Sequence, residues 1–358
     1  MKPKKNILAL GADVKNKFLF ASQKGLCFGP EIGDLSYAEN YELFERKALK
    51  VAGKNKPFLI ACDLHPDYFS TKFAEAFAFT RPTGGLYRIQ HHHAHIASVM
   101  LEHGLEKSVI GVSFDGTGFG ADGNIWGGEF LLVGKKGFSR LAHLKYNKMP
   151  GGEKVVSEPW RMALGVLGKK AAPFIKGAGK REKEAVLSIC EKNINSPVTS
   201  SAGRLFDVAS ALLGACTHAS REAEAPLRLE AMCAGETNES YKFDISKRNR
   251  QYIIDPQRIF LGMLEDLKMG KDKKNMAVKF HNSMVNIIAD TVKKLSKKTR
   301  LTDIALSGGV FQNKFLKRKI IKRLISSGFR VFTNEKTPVN DFNISLGQYY
   351  VLSRSGKN

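Results

Sequence analysis

The stretch SVIGVSFDGTGFGADGNIWGGEFLLVG, residues 108–134, decides the fold. An apolar run ends at Asp115-Gly116-Thr117-Gly118, a second glycine-rich turn follows, and the chain returns through GGEFLLV. Two runs of strand length broken by glycine and aspartate read as a β-hairpin. A shorter version stands about a hundred residues earlier, in NILALGADVKNKFLFAS (residues 6–22), where the first run ends at Gly11, Ala12 and Asp13. A repeated hairpin predicts a duplicated, two-lobed α/β architecture. The expected lobes are 1–100 and 101–358, with the last helix packing back on the first lobe.

A third signal is LTDIALSGGVFQNKFLKRKIIKRLISSG, residues 301–328. The strand DIALS meets Gly308-Gly309, and a basic amphipathic helix follows. Glycine lets the backbone come close to a ligand, and the first N–H groups of a helix point at an anion. Ser307, Gly308 and Gly309 are therefore candidates for a phosphate or nucleotide cradle. Helical patterns fall at about 36–52, 70–78, 92–103, 158–169, 180–193, 201–213, 224–234 and 276–297, with strand signals at YKFDI (241–245) and QYIID (251–255).

Composition narrows the class. The 358 residues, 43% hydrophobic, exclude a fibrous or disordered chain. No apolar run reaches the roughly 18 residues of a membrane span. The start, MKPKKNILAL, has no long apolar core or cleavage site of a secretory leader, so a cytoplasmic location is expected. The five cysteines are scattered with no CxxC pair, which argues for buried thiols rather than a cysteine zinc site. The formal charge of +23 attracts anions, nucleic acid included. Its lysines are spread along helices, and no basic stripe interleaved with aromatics of the RNA-binding kind is present.

The candidate chemistry lies in RIQHHHAHIASVM, residues 88–100. His91 and His95 are i, i+4, and His92 and His95 are i, i+3; on a helix either pair shares a face. His93 points away from His95. Two histidines on one helical face make half a metal site. The missing ligands should be carboxylates at strand ends or loops, and Asp115 and Asp341 qualify. Mixed nitrogen and oxygen ligation suits Fe(II), Zn(II) or Mn(II).

These motifs resemble those of the C-terminal carbamoyltransferase region of HypF, the hydrogenase maturation factor. The likeness runs from about residue 7 to 348 and is carried by LALGADVKNKF, ACDLHPDYFST, QHHHAHIASVMLEHGL, GVSFDGTGFGADGNIWGGEFLL, EPWRMALG, SSAGRLFDVASALLG, KFHNSM, LSGGVFQNKFL and NDFNISLGQ. It implies a two-lobed actin-like ATPase (ASKHA) fold, with a carbamoyl-adenylate derived from ATP in the interlobe cleft. It implies a divalent metal (iron or zinc, with manganese or magnesium as alternatives) on His91, His95, Asp115 and Asp341. His91, His95 and Asp115 would carry the catalysis. Gly116, Thr117, Gly118, Ser307, Gly308 and Gly309 would cradle phosphate. Gly203 and Asp207 would lie near the ribose and Asn313 by the adenosine. His92 and His93 are left as contacts to ligands or substrate.

The implied reaction passes a carbamoyl group to the C-terminal cysteine of a HypE-like acceptor. The family's acylphosphatase-like, zinc-finger and YrdC-like modules have no counterpart in this sequence, so a separate YrdC-like partner is expected to make the donor. Two positions depart from the family pattern. Phe342-Asn343 stands where a glycine pair is usual, and Glu222-Ala223-Glu224 where EGQ is usual. The alternatives are a tRNA threonylcarbamoyltransferase or small-molecule O-carbamoyltransferase, with tRNA as the nucleic-acid partner, and a non-catalytic nucleotide-binding remnant.

Overall fold

A computed structural model describes residues 5–81, 83–234 and 237–354. The Met1–Lys4 start, part of the stretch read above for a leader, lies outside them. The first half runs β1 (Ile7–Ala9), β2 (Leu19–Ser22), β3 (Gly25–Phe28), α1 (Ala38–Asn55), β4 (Leu59–Asp63), α2 (Phe69–Thr80), β5 (Gly85–Ile89) and α3 (His91–Glu102). The second opens with β6 (Val109–Phe119), β7 (Ile125–Gly134), β8 (Gly137–Leu144) and the short β9 (Asn147–Lys148). A helical insertion follows: α4 (Lys154–Ser157), α5 (Trp160–Leu167), α6 (Lys180–Glu191), the short β10 (Val198–Thr199), α7 (Ala202–Leu213) and α8 (Glu224–Ala231). Then come β11 (Asp244–Arg248), β12 (Gln251–Asp255), α9 (Gln257–Lys268), α10 (Lys273–Thr299), β13 (Asp303–Ser307), α11 (Lys314–Ile325), β14 (Arg330–Thr333) and α12 (Ile344–Arg354).

The duplication is visible in strand order. The first sheet runs β3-β2-β1-β4-β5, and the heart of the second runs β8-β7-β6-β13-β14. In each, three antiparallel strands are followed by two parallel ones. Parallel strands need a crossover, supplied by α1 and α2 in one lobe and by the helical insertion and α11 in the other. The insertion shares one core with α9 and α10, where Trp160 and Phe206 of the insertion and Phe260 and Phe280 of those helices are all buried. The helix α9 is absent from the sequence reading. Its Ile259, Phe260, Met263 and Leu264 are buried at helical spacing just after Pro256. The strand expected over 241–245 begins three residues later, at Asp244, where Asp244 pairs with Asp255.

The closing helices are exchanged. Helix α3 follows the first sheet but packs on β6, β7 and β13 of the second, whereas α12 follows the second sheet but packs on β1 and β4 of the first. Ile7, Ala9, Leu59 and Ala61 of the first sheet form one core with Ile344, Leu346 and Tyr349 of α12. The two helices also pack on each other, through Gly347. A Cβ there would sit 1.8 Å from the carbonyl oxygen of Ala94, so only glycine permits the crossing. This exchange brings the start of α3, the end of β6 and the segment before α12 to one seam.

Candidate functional site

Helix α3 begins with its histidines because Gln90 caps it. The Gln90 side-chain oxygen accepts from the His93 amide at 2.9 Å. His91 and His95 share one face and are fully buried. Each ring is held from behind. The Nδ1–H of His91 donates to Asp63 Oδ2 at 2.8 Å, and that of His95 donates to Asn343 Oδ1 at 2.9 Å. With Nδ1 donating away from the seam, each Nε2 faces into it. The Nε2 of His91 has no hydrogen-bond partner among the described residues.

Two carboxylates meet these nitrogens. Between Phe114 and Gly118 the pairing of β6 with β7 loses register, and Asp115 lies in that irregular step. Its Oδ1 accepts from the amides of Gly116 at 2.7 Å and Gly309 at 3.3 Å. Asp341 enters from the turn just before α12. The four donor atoms of His91, His95, Asp115 and Asp341 lie within 4.8 Å of one another. Three of the separations are 3.7, 3.7 and 3.6 Å: His91 Nε2 to Asp115 Oδ2, His91 Nε2 to Asp341 Oδ1, and His95 Nε2 to Asp341 Oδ1. Donors arranged tetrahedrally about a cation at about 2.1 Å are about 3.4 Å apart. The fourth separation, His95 Nε2 to Asp115 Oδ2, is 2.7 Å, a direct hydrogen bond that a cation would have to replace. Two imidazoles with fixed tautomers and two carboxylates fit a divalent cation, and Asp63 and Asn343 would orient the ligands from behind.

The carboxylates favour charged imidazoles, whose Nε2 protons a bound cation would displace. Burial works against a charged His91, but the carboxylates of Asp341 and Asp63 outweigh it and hold its pKa well above the usual histidine range. Burial also opposes ionisation of Asp115, yet the imidazoles of His91 and His95 beside it keep its pKa far down. Asp341 is lowered too, burial being outweighed by the charge on His91.

The remaining histidines lie apart. Gln90 Nε2 donates to the carbonyl of Phe119 at 3.1 Å, which fixes the amide, and His92 Nδ1 accepts from the same nitrogen at 2.9 Å. Burial and the neighbouring His91 charge keep His92 neutral. The His93 ring packs on Phe138 and lines a separate cavity of about 190 Å³ with Lys135, Lys136, Tyr350 and Arg354. Burial pushes its pKa down to about 4.

Of the residues expected to hold nucleotide, Gly116, Thr117 and Gly309 present surface beside Asp115. Gly118 is buried under histidine rings, where a Cβ would come within 2.5 Å of His92 and 2.9 Å of His91. Gly203 packs on Gly116, and Gly308, at φ +104°, packs on the Phe114 carbonyl. The Ser307 hydroxyl donates to Asn334 at 2.7 Å. Asn313 caps α11 by accepting from the Leu316 amide at 2.8 Å and donates to His281 Nε2 at 3.0 Å. Asp207 is buried beside Arg204, whose Nε lies 3.1 Å from Oδ2 but off the line of a hydrogen bond, so neither of these two atoms has a hydrogen-bond partner among the described residues. Burial raises the Asp207 pKa to about 6, against the lowering influence of Arg204.

The sequence reading missed Asp63, although it ends the fully buried strand LIACD. An acid at the end of an otherwise apolar strand was the available signal. Asn343 was noted only as a departure from the family pattern.

Two repeated sheets closed by exchanged helices, with the donor cluster at their seam, define a two-lobed protein of the actin-like fold. The comparisons with known proteins narrow this. Residues 2–102 match the family model described as the HypF Kae1-like domain, and residues 111–348 match that of the second subdomain of the carbamoyltransferase Kae1-like domain. The chain belongs to the HypF carbamoyltransferase family. It is 32% identical to the HypF carbamoyltransferase of Synechocystis over 96% of this chain and 46% of that protein. It is 31% identical to a HypF homolog of Cupriavidus necator over 97% of this chain and 91% of that protein. A crystal structure of full-length HypF in a phosphate- and nucleotide-bound form superposes with a TM-score of 0.92 at 37% identity, over 98% of this chain and 56% of that one. HypF of T. kodakarensis gives 0.88 at 30% identity, over 98% and 48%. The chain thus spans about half the length of most of these relatives, and nearly all of the Cupriavidus homolog. No helix among the described residues is long and apolar enough to cross a membrane.

Proposed function

We propose that this chain transfers a carbamoyl group from carbamoyl-adenylate to an acceptor thiol, the C-terminal cysteine of a HypE-like protein, in the maturation of a hydrogenase cyanide ligand. The observation that carries the reading is the buried cluster of His91, His95, Asp115 and Asp341, with both imidazoles oriented from behind. A divalent metal held by these four would act as a Lewis acid toward a carbamoyl or phosphate oxygen. The chain's own residues do the rest. Asp63 and Asn343 fix the rings, and the Gly116 and Gly309 amides hold the Asp115 carboxylate. The exposed Thr117, with its hydroxyl, offers a donor to the adenylate phosphate from the same turn. In the transfer, the thiol sulfur bonds to the carbamoyl carbon, the bond from that carbon to the phosphate oxygen breaks, AMP departs and the thiol proton is released. A YrdC-like partner supplies carbamoyl-adenylate from carbamoyl phosphate and ATP.

The test combines metal-loaded protein, carbamoyl-adenylate and the HypE-like acceptor, read by mass spectrometry of the acceptor. The expected result is a gain of one carbamoyl group on the terminal cysteine. No transfer with the donor verified intact would overturn the proposal. A tRNA acceptor is the second reading, favoured by the +23 charge and by an open groove lined by Lys242, Arg258, Lys293 and Lys294. Salt-dependent tRNA binding together with carbamoyl transfer to it would favour that reading instead.

A further inference from the structure

The segment 334–343 carries two buried asparagines, Asn334 and Asn343, at 4% and 0% exposure. Their amides can be oriented without ambiguity. Glu102 offers only acceptors, so the Asn334 nitrogen must face it, at 3.0 Å from Oε1. The Asn334 oxygen then accepts from Ser307 Oγ at 2.7 Å and from Asn343 Nδ2 at 3.1 Å. The carbonyl of Pro338, also an acceptor only, receives Asn343 Nδ2 at 2.9 Å. Both contacts force the Asn343 oxygen toward His95, where it accepts from Nδ1 at 2.9 Å. The series begins and ends on α3, because Glu102 and His95 belong to the same helix. The Glu102 carboxylate also takes the amides of Glu335, Lys336 and Thr337, so the segment carrying Asn334 is tied down at its base.

We infer that Asn343 is a positioning residue that holds a proton on His95 Nδ1 and so directs Nε2 at Asp115 and Asp341, through a fixed series Glu102–Asn334–Asn343–His95. This chain thereby uses an amide where the family pattern noted above has glycine. On the other histidine of the cluster, Asp63 holds the equivalent nitrogen. The two rings are thus oriented by unlike acceptors, one a carboxylate and one a neutral amide. The neutral partner adds no further negative charge beside the two carboxylates already there.

The inference rests on the proposed metal reading only for its affinity arm. The test takes the full chain and two variants. Asn343→Leu removes the acceptor at similar volume. Asn343→Asp keeps an acceptor toward His95 but loses the donor toward Pro338 and Asn334. The first readout is ¹⁵N NMR of the histidine rings with and without Zn(II). Wild-type His95 is expected to show a protonated Nδ1 in both states; an unprotonated Nδ1 overturns the inference, and this measurement needs no variant to fold. The second is Zn(II) affinity by chelator competition. Asn343→Leu is expected to weaken binding by about 10–100-fold, and Asn343→Asp by no more than about threefold. A purely structural role predicts that the aspartate variant is as damaging as the leucine variant, and that result overturns the inference. If wild-type protein with a protonated Nδ1 binds no Zn(II), the metal reading fails while the tautomer assignment stands.

Discussion

Replacing Asp63 with alanine tests the candidate metal centre from a residue that is not itself a ligand. The Asp63 carboxylate is fully buried and does two things: Oδ2 accepts from His91 Nδ1 at 2.8 Å, and Oδ1 accepts from the His65 amide at 3.0 Å. Its removal leaves the His91 Nδ1–H with no acceptor, and the proton can move to Nε2, the nitrogen that faces Asp115 and Asp341. A hydrogen bond to a charged group is worth about 1.5–3 kcal/mol. That range corresponds to roughly a 10–150-fold loss of metal affinity, in line with the 10–100-fold typical of removing the group behind a ligating histidine. Asp63→Asn keeps a neutral oxygen for one of the two donors, so its loss should fall between wild type and Asp63→Ala. The assay is competition with a chromophoric chelator for Zn(II), after circular dichroism has shown that each variant is folded. A folded Asp63→Ala variant with affinity within about threefold of wild type would refute the reasoning, because the orientation of His91 would then contribute nothing.

Three further outcomes are expected. His91→Ala or His95→Ala should abolish stoichiometric metal binding whereas His93→Ala retains it, as read by metal analysis after gel filtration; equal loss in all three would show the wrong ligands. Gly347→Ala should lower stability by about 3 kcal/mol or more, because the added methyl meets the Ala94 backbone rather than a side chain that can move; a thermal melt close to wild type would contradict the crossing described for α3 and α12. Asp207 should impose a pH dependence on stability. Its pKa of about 6 in the fold lies above the 3.8 of an ordinary aspartate, so the folded state holds the extra proton between these values. Stability from this group is full below about pH 4 and falls as pH rises to about 6. Asp207→Asn should remove that fall, measured by urea unfolding across the window; an unchanged slope would count against the assignment.

Helical periodicity narrowed the candidate pair to His95 with His91 or His92, and the resemblance to the HypF region selected His91. Asp115 was legible as an acid at the end of an apolar strand within a glycine-rich turn. The hairpins at 6–22 and 108–134 announced the repeat, and the strand orders bear out the two-lobed reading. The residues behind the rings were not legible for a physical reason. Asp63 and Asn343 reach α3 from chain positions 28 and 248 residues away, and no local pattern encodes that approach. The exchange of α3 and α12 is hidden in the same way, because an apolar helix face does not say which sheet it will cover.

That exchange also sets an order on assembly during synthesis. His91 and His95 are made early, but Asp341 and Asn343 come about 250 residues later, just ahead of the helix that covers β1 and β4. Until α12 has emerged, the first sheet has an open apolar face and the donor cluster lacks one carboxylate and one ring support. A nascent or prematurely ended chain therefore cannot complete the centre, however well its first lobe has folded. Were the cluster to hold a cation, its loading would report that translation has run through α12 and that this helix has docked.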